Sequence, residues 1–318
     1  MAVFFKLIRF PNLLIVAFTQ LAMRLFIIKP ILGLYGFELQ MTGFDFSMLI
    51  LATVAITAAG YVINDYFDRK PDIINKPQHV IVGRQMKRRT AMMLHQVLNG
   101  IGVLAGAYIA YRTGHLMFAA IFILAAGLLW FYSTGYKRQF LIGNLLVSLL
   151  TAAVPLLVMV FELPLLIREY GTRLQSPEFD VYLILKWILA FSIFAFLTSL
   201  IREIVKDTQD FEGDNAYGMR TMPIVLGIKN TKIIISIVTV ITLALILYVF
   251  FLYLNDDLTM VYMLVTIVIP FGFLIHRILV ADSARDYKFA SILLKVIMIA
   301  GILYAPLVSY IIHQNFLL

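Results

Sequence analysis

At 318 residues, with 62% hydrophobic and only 14% charged residues and a mean hydropathy of +0.92, the chain cannot be an ordinary soluble domain and reads as a polytopic membrane protein. Its formal charge of +8 does not indicate nucleic acid, because the Lys and Arg sit in short segments between apolar runs, which is the pattern of membrane topology. The lack of Cys excludes disulfides and thiolate metal sites.

Nine apolar runs follow in chain order: Leu13–Leu34, Phe46–Ile63, Ala91–Ala110, Leu116–Tyr132, Leu141–Phe161, Val181–Ile201, Ile233–Leu254, Leu258–Leu279 and Phe289–Ile312. Most approach the roughly 20 residues that cross a hydrocarbon core, and in lipid such runs must be helices because their backbone groups have to be satisfied internally. The first nine residues have the charge of a signal peptide but no small-residue cleavage site follows, so they read as the start of the mature protein. Alternate segments between runs carry nineteen Lys and Arg on one side and five on the other, with Lys186 and Lys295 left inside span ends. The positive-inside rule then puts the N-terminus in the cytoplasm and the C-terminus outside. Arg24 either lies mid-span or snorkels at the outer end of a shorter first span. Gly102-x-x-x-Gly106 signals close helix packing. With no linker long enough to divide the chain, residues 1–318 are expected to form one domain.

Two acidic stretches end the second and sixth runs: Asn64-Asp65-Tyr66-Phe67-Asp68-Arg69-Lys70-Pro71-Asp72 and Asp207-Thr208-Gln209-Asp210-Phe211-Glu212-Gly213-Asp214. In each the Asp residues lie three and then four positions apart, so a continuing helix would carry all three on one face. The duplicated spacing suggests a bundle with approximate internal symmetry about a central cavity. Both stretches are expected on the cytoplasmic side. Six carboxylates gathered there would repel one another unless divalent cations lay between them, and oxygen-rich, partly open clusters suit Mg²⁺ shared with substrate phosphate oxygens. A diphosphate substrate held through Mg²⁺ by Asp65, Asp68, Asp72, Asp207, Asp210 and Asp214 is therefore expected.

Asn64-Asp65-x-x-Asp68-x-x-x-Asp72 followed by Asn75-Lys76-Pro77, together with Asp207-x-x-Asp210-x-x-x-Asp214 before Thr221-x-Pro223 and Gly227, resembles the UbiA superfamily of intramembrane prenyltransferases. The resemblance covers nearly the whole chain. It implies nine transmembrane helices around a cavity open to the cytoplasm and to lipid, and Mg²⁺-dependent transfer of an isoprenoid from its diphosphate to an acceptor. The run from Arg202 to Asp214, with Tyr132-Ser133-Thr134-Gly135-Tyr136-Lys137 and Gly143-Asn144, is similar to the archaeal digeranylgeranylglyceryl phosphate synthase subgroup. In one departure, His79-Val80 stand where Arg-Pro is expected, and the nearest Arg is Arg84.

Stabilising the charge that develops on a diphosphate leaving group requires preorganised cations and no protein nucleophile. Asn64 is a candidate neutral ligand or carboxylate orienter, and Lys137, Arg202 and Lys206 are candidate diphosphate contacts. Tyr132 and Tyr136 are candidate ring walls for the carbocation. Positive-inside topology and the interfacial aromatic belt are the competing explanations of these cations and tyrosines. Asn144 reads as an interhelical hydrogen-bond partner, and the scattered His residues are assigned no role. The donor is expected to be a prenyl diphosphate, geranylgeranyl by resemblance, and the acceptor a lipophilic molecule, geranylgeranylglyceryl phosphate. The alternatives are an aromatic acceptor such as 4-hydroxybenzoate or a naphthoate, as in quinone biosynthesis, and an ion-coupled transporter. A phosphate-bearing acceptor needs a further cationic contact, for which Arg84, Lys87, Arg88 and Arg89 are candidates.

Overall fold

The computed structural model describes residues 2–175 and 181–316. Among them are nine helices long and apolar enough to cross a membrane: α1 Phe10–Leu34, α2 Gly43–Phe67, α3 Arg88–Arg112, α4 Leu116–Thr134, α5 Ile142–Tyr170, α6 Val181–Gln209, α7 Met222–Leu254, α8 Asp257–Leu279 and α9 Ala284–Gln314. The chain is thus an all-α integral membrane protein. Every expected apolar run falls on one of these helices, to within a residue at Leu141. The helices extend past the runs because polar residues at span ends can continue the backbone ladder where water begins.

Helix α2 forms the centre of the first half, with 61% of its most apolar stretch buried, whereas α4 buries 11% and faces outward. The buried face of α2 is built from small residues, including Ala52, Ala55, Ala58, Ala59 and Gly60. In lipid there is no hydrophobic gain from bringing helices together, so close approach and dispersion must hold the bundle. Gly102 of α3 permits that approach, since a Cβ there would lie 2.6 Å from Ile56 Cγ1 and 3.1 Å from the Ala52 carbonyl oxygen. At Gly106 a Cβ would lie 2.2 Å from the Phe122 ring of α4. The Gly102–Gly106 pair is a packing seam, as its spacing suggests. A second core joins α6, α7, α8 and α9 through Ile204, Ile235, Phe271, Leu274 and Leu294.

Prolines bend two spans in the same way. Pro30 and Pro270 each follow a π-helical turn, Met23–Ile28 and Leu264–Val268. A proline has no N–H to donate and its ring crowds the carbonyl four residues back; widening the preceding turn relieves both problems.

Of the two positions open to Arg24, the structure takes the one within the span. Helix α1 continues to Leu34, and Arg24 is buried within it. Its guanidinium donates to the Met41 carbonyl and, at 3.5 Å, to the Thr42 carbonyl, and lies 4.3 Å above the Phe46 ring. The same loop is gripped from α5, where the fully buried Glu162 carboxylate accepts from the Gln40 and Met41 amides. The α1–α2 connection is therefore pinned by a buried cation and by one oxygen of a buried anion, Glu162 Oε1, while Glu162 Oε2 is buried without a partner.

Gly106→Leu should overpack the α3–α4 seam and lower the thermal unfolding midpoint of the detergent-solubilised protein, at a cost of about 1–3 kcal/mol. Gly100→Leu, with nothing within 4 Å of its Cβ position, should leave the midpoint unchanged in the same measurement.

Candidate active site

The two acidic stretches are built by the same backbone device. Helix α2 ends at Phe67, the chain turns at Asp68 (φ −82°, ψ 0°), and a short helix runs over Arg69–Asn75. Likewise α6 ends at Gln209, the chain turns at Asp210 (φ −96°, ψ 12°), and a short helix runs over Phe211–Ala216. In both, the amide of the third Asp still donates to the carbonyl of the second, at 2.9 Å for Asp72 and 3.1 Å for Asp214. The single continuous helical face expected from the spacing is thus interrupted at the middle Asp.

The short helices meet. The Gly213 amide donates to Asn75 Oδ1 at 2.7 Å, and a Cβ at Gly213 would fall 2.5 Å from the Asn75 side-chain nitrogen. Lys76 Nζ then reaches Asp210 Oδ2 at 2.6 Å, so a cation that follows the first motif pairs with a carboxylate of the second. Together the two stretches close around a cavity of about 320 Å³ lined by all six motif Asp residues, Asn64, Tyr132, Lys137 and Lys206.

Each cation enters from a different element. Arg9 precedes α1 in the left-handed backbone region (φ 51°, ψ 51°), rare for a residue with a side chain, and its Nη2 bonds Asp65 at 2.8 Å. Lys137 lies in the α4–α5 turn and donates to Asp68 and, at 3.3 Å, to Asn64 Oδ1. Gly143 lets α5 approach that turn, since a Cβ there would lie 2.7 Å from the Lys137 Cα. Lys206 Nζ bonds Glu203 Oε2 at 2.8 Å. Asn144 reaches across from α5 to Asp207 Oδ2 at 2.8 Å, the interhelical role its position suggested.

Two sequence candidates lie outside this lining. Arg202 pairs with Glu203 at 3.2 Å. Tyr136 packs its ring 6.2 Å from that of Phe131 at the surface. Conversely, Arg9, Lys76, His79 and Glu203 line the cavity although the sequence reading assigned them no role. For Arg9 and Lys76 the signal was present as positive charge flanking the motifs, where topology accounted for it equally well. The exposed Arg84 folds back to donate to the Pro77 carbonyl at 2.5 Å, and Arg88 lies 4.6 Å over the Tyr66 ring.

Among the described residues no three acidic or imidazole side chains converge on one point; the carboxylates are instead held apart by Arg9, Lys76 and Lys137. The donor set nonetheless fits divalent cations. Asp210 Oδ1 is buried without a partner. Burial, reinforced by Asp68, Asp65 and Asp210 against the opposing charge of Lys76, pushes Asp72 up to about 7. Burial, then Asp207, Asp210 and Asp68, pushes Asp214 up to about 8. When Asp72 and Asp214 are ionised, the carboxylates lining the cavity outnumber its lining cations, and they are hard oxygen ligands of the kind Mg²⁺ takes.

The sequence model of the UbiA prenyltransferase family matches residues 34–301. The digeranylgeranylglyceryl phosphate synthase of Methanothermobacter thermautotrophicus is 32% identical over 193 residues, 60% of this chain and 60% of that one. The synthase of the same name from Methanopyrus kandleri is 30% identical over 254 residues, 80% of this chain and 83% of that one. The match thus spans three fifths of the first relative's length and most of the second's. A UbiA homologue from Archaeoglobus fulgidus, solved with DMAPP and Mg²⁺, has the same fold at a TM-score of 0.55 and 15% identity, covering 95% of this chain and 98% of that one.

Divalent cations compete with the protons on Asp72 and Asp214. Both carboxyls are protonated below about pH 7 and ionised above about pH 8, so cation affinity should rise across that window. Calorimetric titration with Mg²⁺ or Mn²⁺ should show binding about tenfold tighter near pH 8.5 than near pH 6. A flat profile would contradict the assignment of these two residues.

Proposed function

The chain belongs to the UbiA prenyltransferase family, and on that premise we propose that it transfers a geranylgeranyl group from its diphosphate to geranylgeranylglyceryl phosphate, forming an ether lipid. The observation that carries this reading is the convergence of both Asp sets, with Lys137 and Lys206, on one cavity at one end of an apolar bundle. Support for the acceptor comes from the relatives, which bear the name digeranylgeranylglyceryl phosphate synthase. By the positive-inside rule the cavity faces the cytoplasm, with the N-terminus inside and the C-terminus outside, and residues 1–318 work as one domain.

Asp65, Asp68, Asp72, Asp207, Asp210 and Asp214 would hold Mg²⁺, with Asn64 as a neutral oxygen donor. Mg²⁺ neutralises the charge that grows on the leaving diphosphate as the allylic C–O bond breaks. Lys137 and Lys206 add fixed positive charge to the same wall, already oriented by Asp68 and Glu203 and so costing little reorganisation during the reaction. The electron pair leaves with the diphosphate. Tyr132, at the cavity wall, turns its ring to the allylic cation. The acceptor hydroxyl oxygen then makes the new C–O bond and gives its proton to the released diphosphate. A polytopic bundle suits this chemistry because water reaching the cation would give the prenyl alcohol instead of the ether.

Purified protein in nanodiscs, given Mg²⁺ and radiolabelled geranylgeranyl diphosphate, should form labelled ether lipid with geranylgeranylglyceryl phosphate and none in EDTA. A prenylated benzoate formed from 4-hydroxybenzoate, with no ether lipid, would overturn the acceptor. Asp68→Ala and Asp210→Ala should each lower turnover by about 100-fold or more, the scale of losing one preorganised electrostatic group, while the protein stays folded in the membrane with a lowered unfolding temperature, because Lys137 and Lys76 each lose a partner. Lys206→Met should show a smaller loss.

A further inference from the structure

Lys295 lies inside α9, and among the described residues no carboxylate pairs with it. Counting about 1.5 Å per residue, it is roughly 9 Å beyond Phe289, where the apolar run of α9 begins, and Arg202 is roughly 10 Å inside the end of α6 at Gln209. A lysine at such depth is costly and is held only by specific partners. Its one hydrogen bond is to Asn12 Oδ1 of α1 at 2.8 Å. Asn12 is fixed in turn by donating to the Tyr61 hydroxyl at 3.2 Å, and the Tyr61 ring lies 4.9 Å beneath the Arg9 guanidinium.

The surroundings of Lys295 add positive charge. The charges of Arg202, Arg9 and Lys206 all act on it. Arg9 and Lys206 are each committed to a carboxylate, Asp65 and Glu203, and Arg202 shares Glu203 while its Nε is buried with no partner. Lys295 on α9 and Asn12 on α1 are joined directly, Arg202 lies on α6, which packs against α9, and none of the three lines the acidic cavity. Asp65 and Glu203 answer the other cations, which leaves Lys295 as a cation in a low-dielectric setting that an anion would stabilise. On its own helix Lys295 is flanked by Ile292 and Val296, which are 54% and 56% exposed toward the region that lipid occupies. The cluster thus stands at the border between the protein interior and the bilayer.

We propose that Lys295, with Asn12 and Arg202, binds the phosphate of the acceptor lipid, so that the acceptor's headgroup docks between α1, α6 and α9 while its chain stays in the apolar region. This rests on the proposed ether-lipid reaction and supplies its missing acceptor contact, because Arg84, Lys87, Arg88 and Arg89 are exposed outside the cavity. It also separates the two phosphate-bearing substrates: the carboxylate-lined cavity takes the diphosphate through metal, and the metal-free cationic cluster takes the monoester directly.

The test is the kinetics of Lys295→Met and Lys295→Arg with both substrates varied. Lys295→Met should raise KM for geranylgeranylglyceryl phosphate about tenfold or more, as expected for a lost charge-assisted hydrogen bond. KM for geranylgeranyl diphosphate should stay within about twofold, and Lys295→Arg should recover most of the acceptor affinity. Geranylgeranylglycerol, which lacks the phosphate, should not distinguish wild type from Lys295→Met. An unchanged acceptor KM would overturn the assignment, as would a rise in donor KM alone, which would give the phosphate to the diphosphate substrate. Should Lys295→Met fold poorly, binding to wild type decides. In EDTA, labelled geranylgeranylglyceryl phosphate should bind about tenfold more tightly than its phosphate-free analogue, and equal binding would overturn the proposal. Wild type that makes no ether lipid at all would refute the proposed reaction; ether lipid made equally well by Lys295→Met would refute this site alone.

Discussion

The structure depends on holding six carboxylates in one small cavity at the end of an apolar bundle. Left to themselves these groups would drive the ends of α2 and α6 apart or stay protonated, as Asp72 and Asp214 tend to do. The chain answers by sending a cation from each of several elements: Arg9 from the N-terminal segment, Lys76 from the loop after the first motif, Lys137 from the α4–α5 turn and Lys206 from α6 itself. The first three of these pairs tie the N-terminal segment, the loop after the first motif and the α4–α5 turn to the ends of α2 and α6, whereas Lys206 pairs with Glu203 on its own helix. They are also partial answers, because Asp210 leaves one oxygen buried and unpaired. Breaking such a pair leaves a partly buried charge without its partner, which costs stability at this end of the bundle.

The opposite end uses the same principle with fewer charges. Arg24 and Glu162 are both buried, and both spend their hydrogen-bonding capacity chiefly on the backbone of residues 40–42. A loop that would otherwise leave amides and carbonyls unsatisfied inside the bundle is thereby completed. Helix packing between the two ends is left to small residues and rings, as at Gly102, Gly106 and Phe122.

The nine spans were legible in the sequence because apolar runs in lipid have one solution, and the duplicated Asp spacing was legible because carboxylates are too costly at span ends to recur in register by chance. Their convergence on a common cavity followed from both. The pairing of individual charges was not legible. Nothing local to Arg9 says that a left-handed residue will aim it at Asp65, and Lys76 reaches Asp210 over 134 positions of chain. Arg202 and Tyr136 sit in the right stretches but rotate away from the cavity, a matter of helical phase that spacing alone does not resolve at the end of a span. Arg24 was left between two positions for a related reason: hydropathy registers the cost of a buried charge but cannot see the carbonyls that meet it. Lys295 was visible as an anomaly, and its meaning needed Asn12 and Arg202 beside it.

Asn75 and Gly213 have a mechanical consequence. Their contact leaves no room for a methyl group, so the two short helices cannot slide past one another and move as one piece. The backbone leaves regular helix just before each of them, at Asp68 and at Asp210. Any turning of that piece against α2 and α6 falls on those two residues, which are themselves the middle carboxylates of the motifs. Whatever grips Asp68 and Asp210 also stiffens the pivot, so an occupied cavity is a locked one.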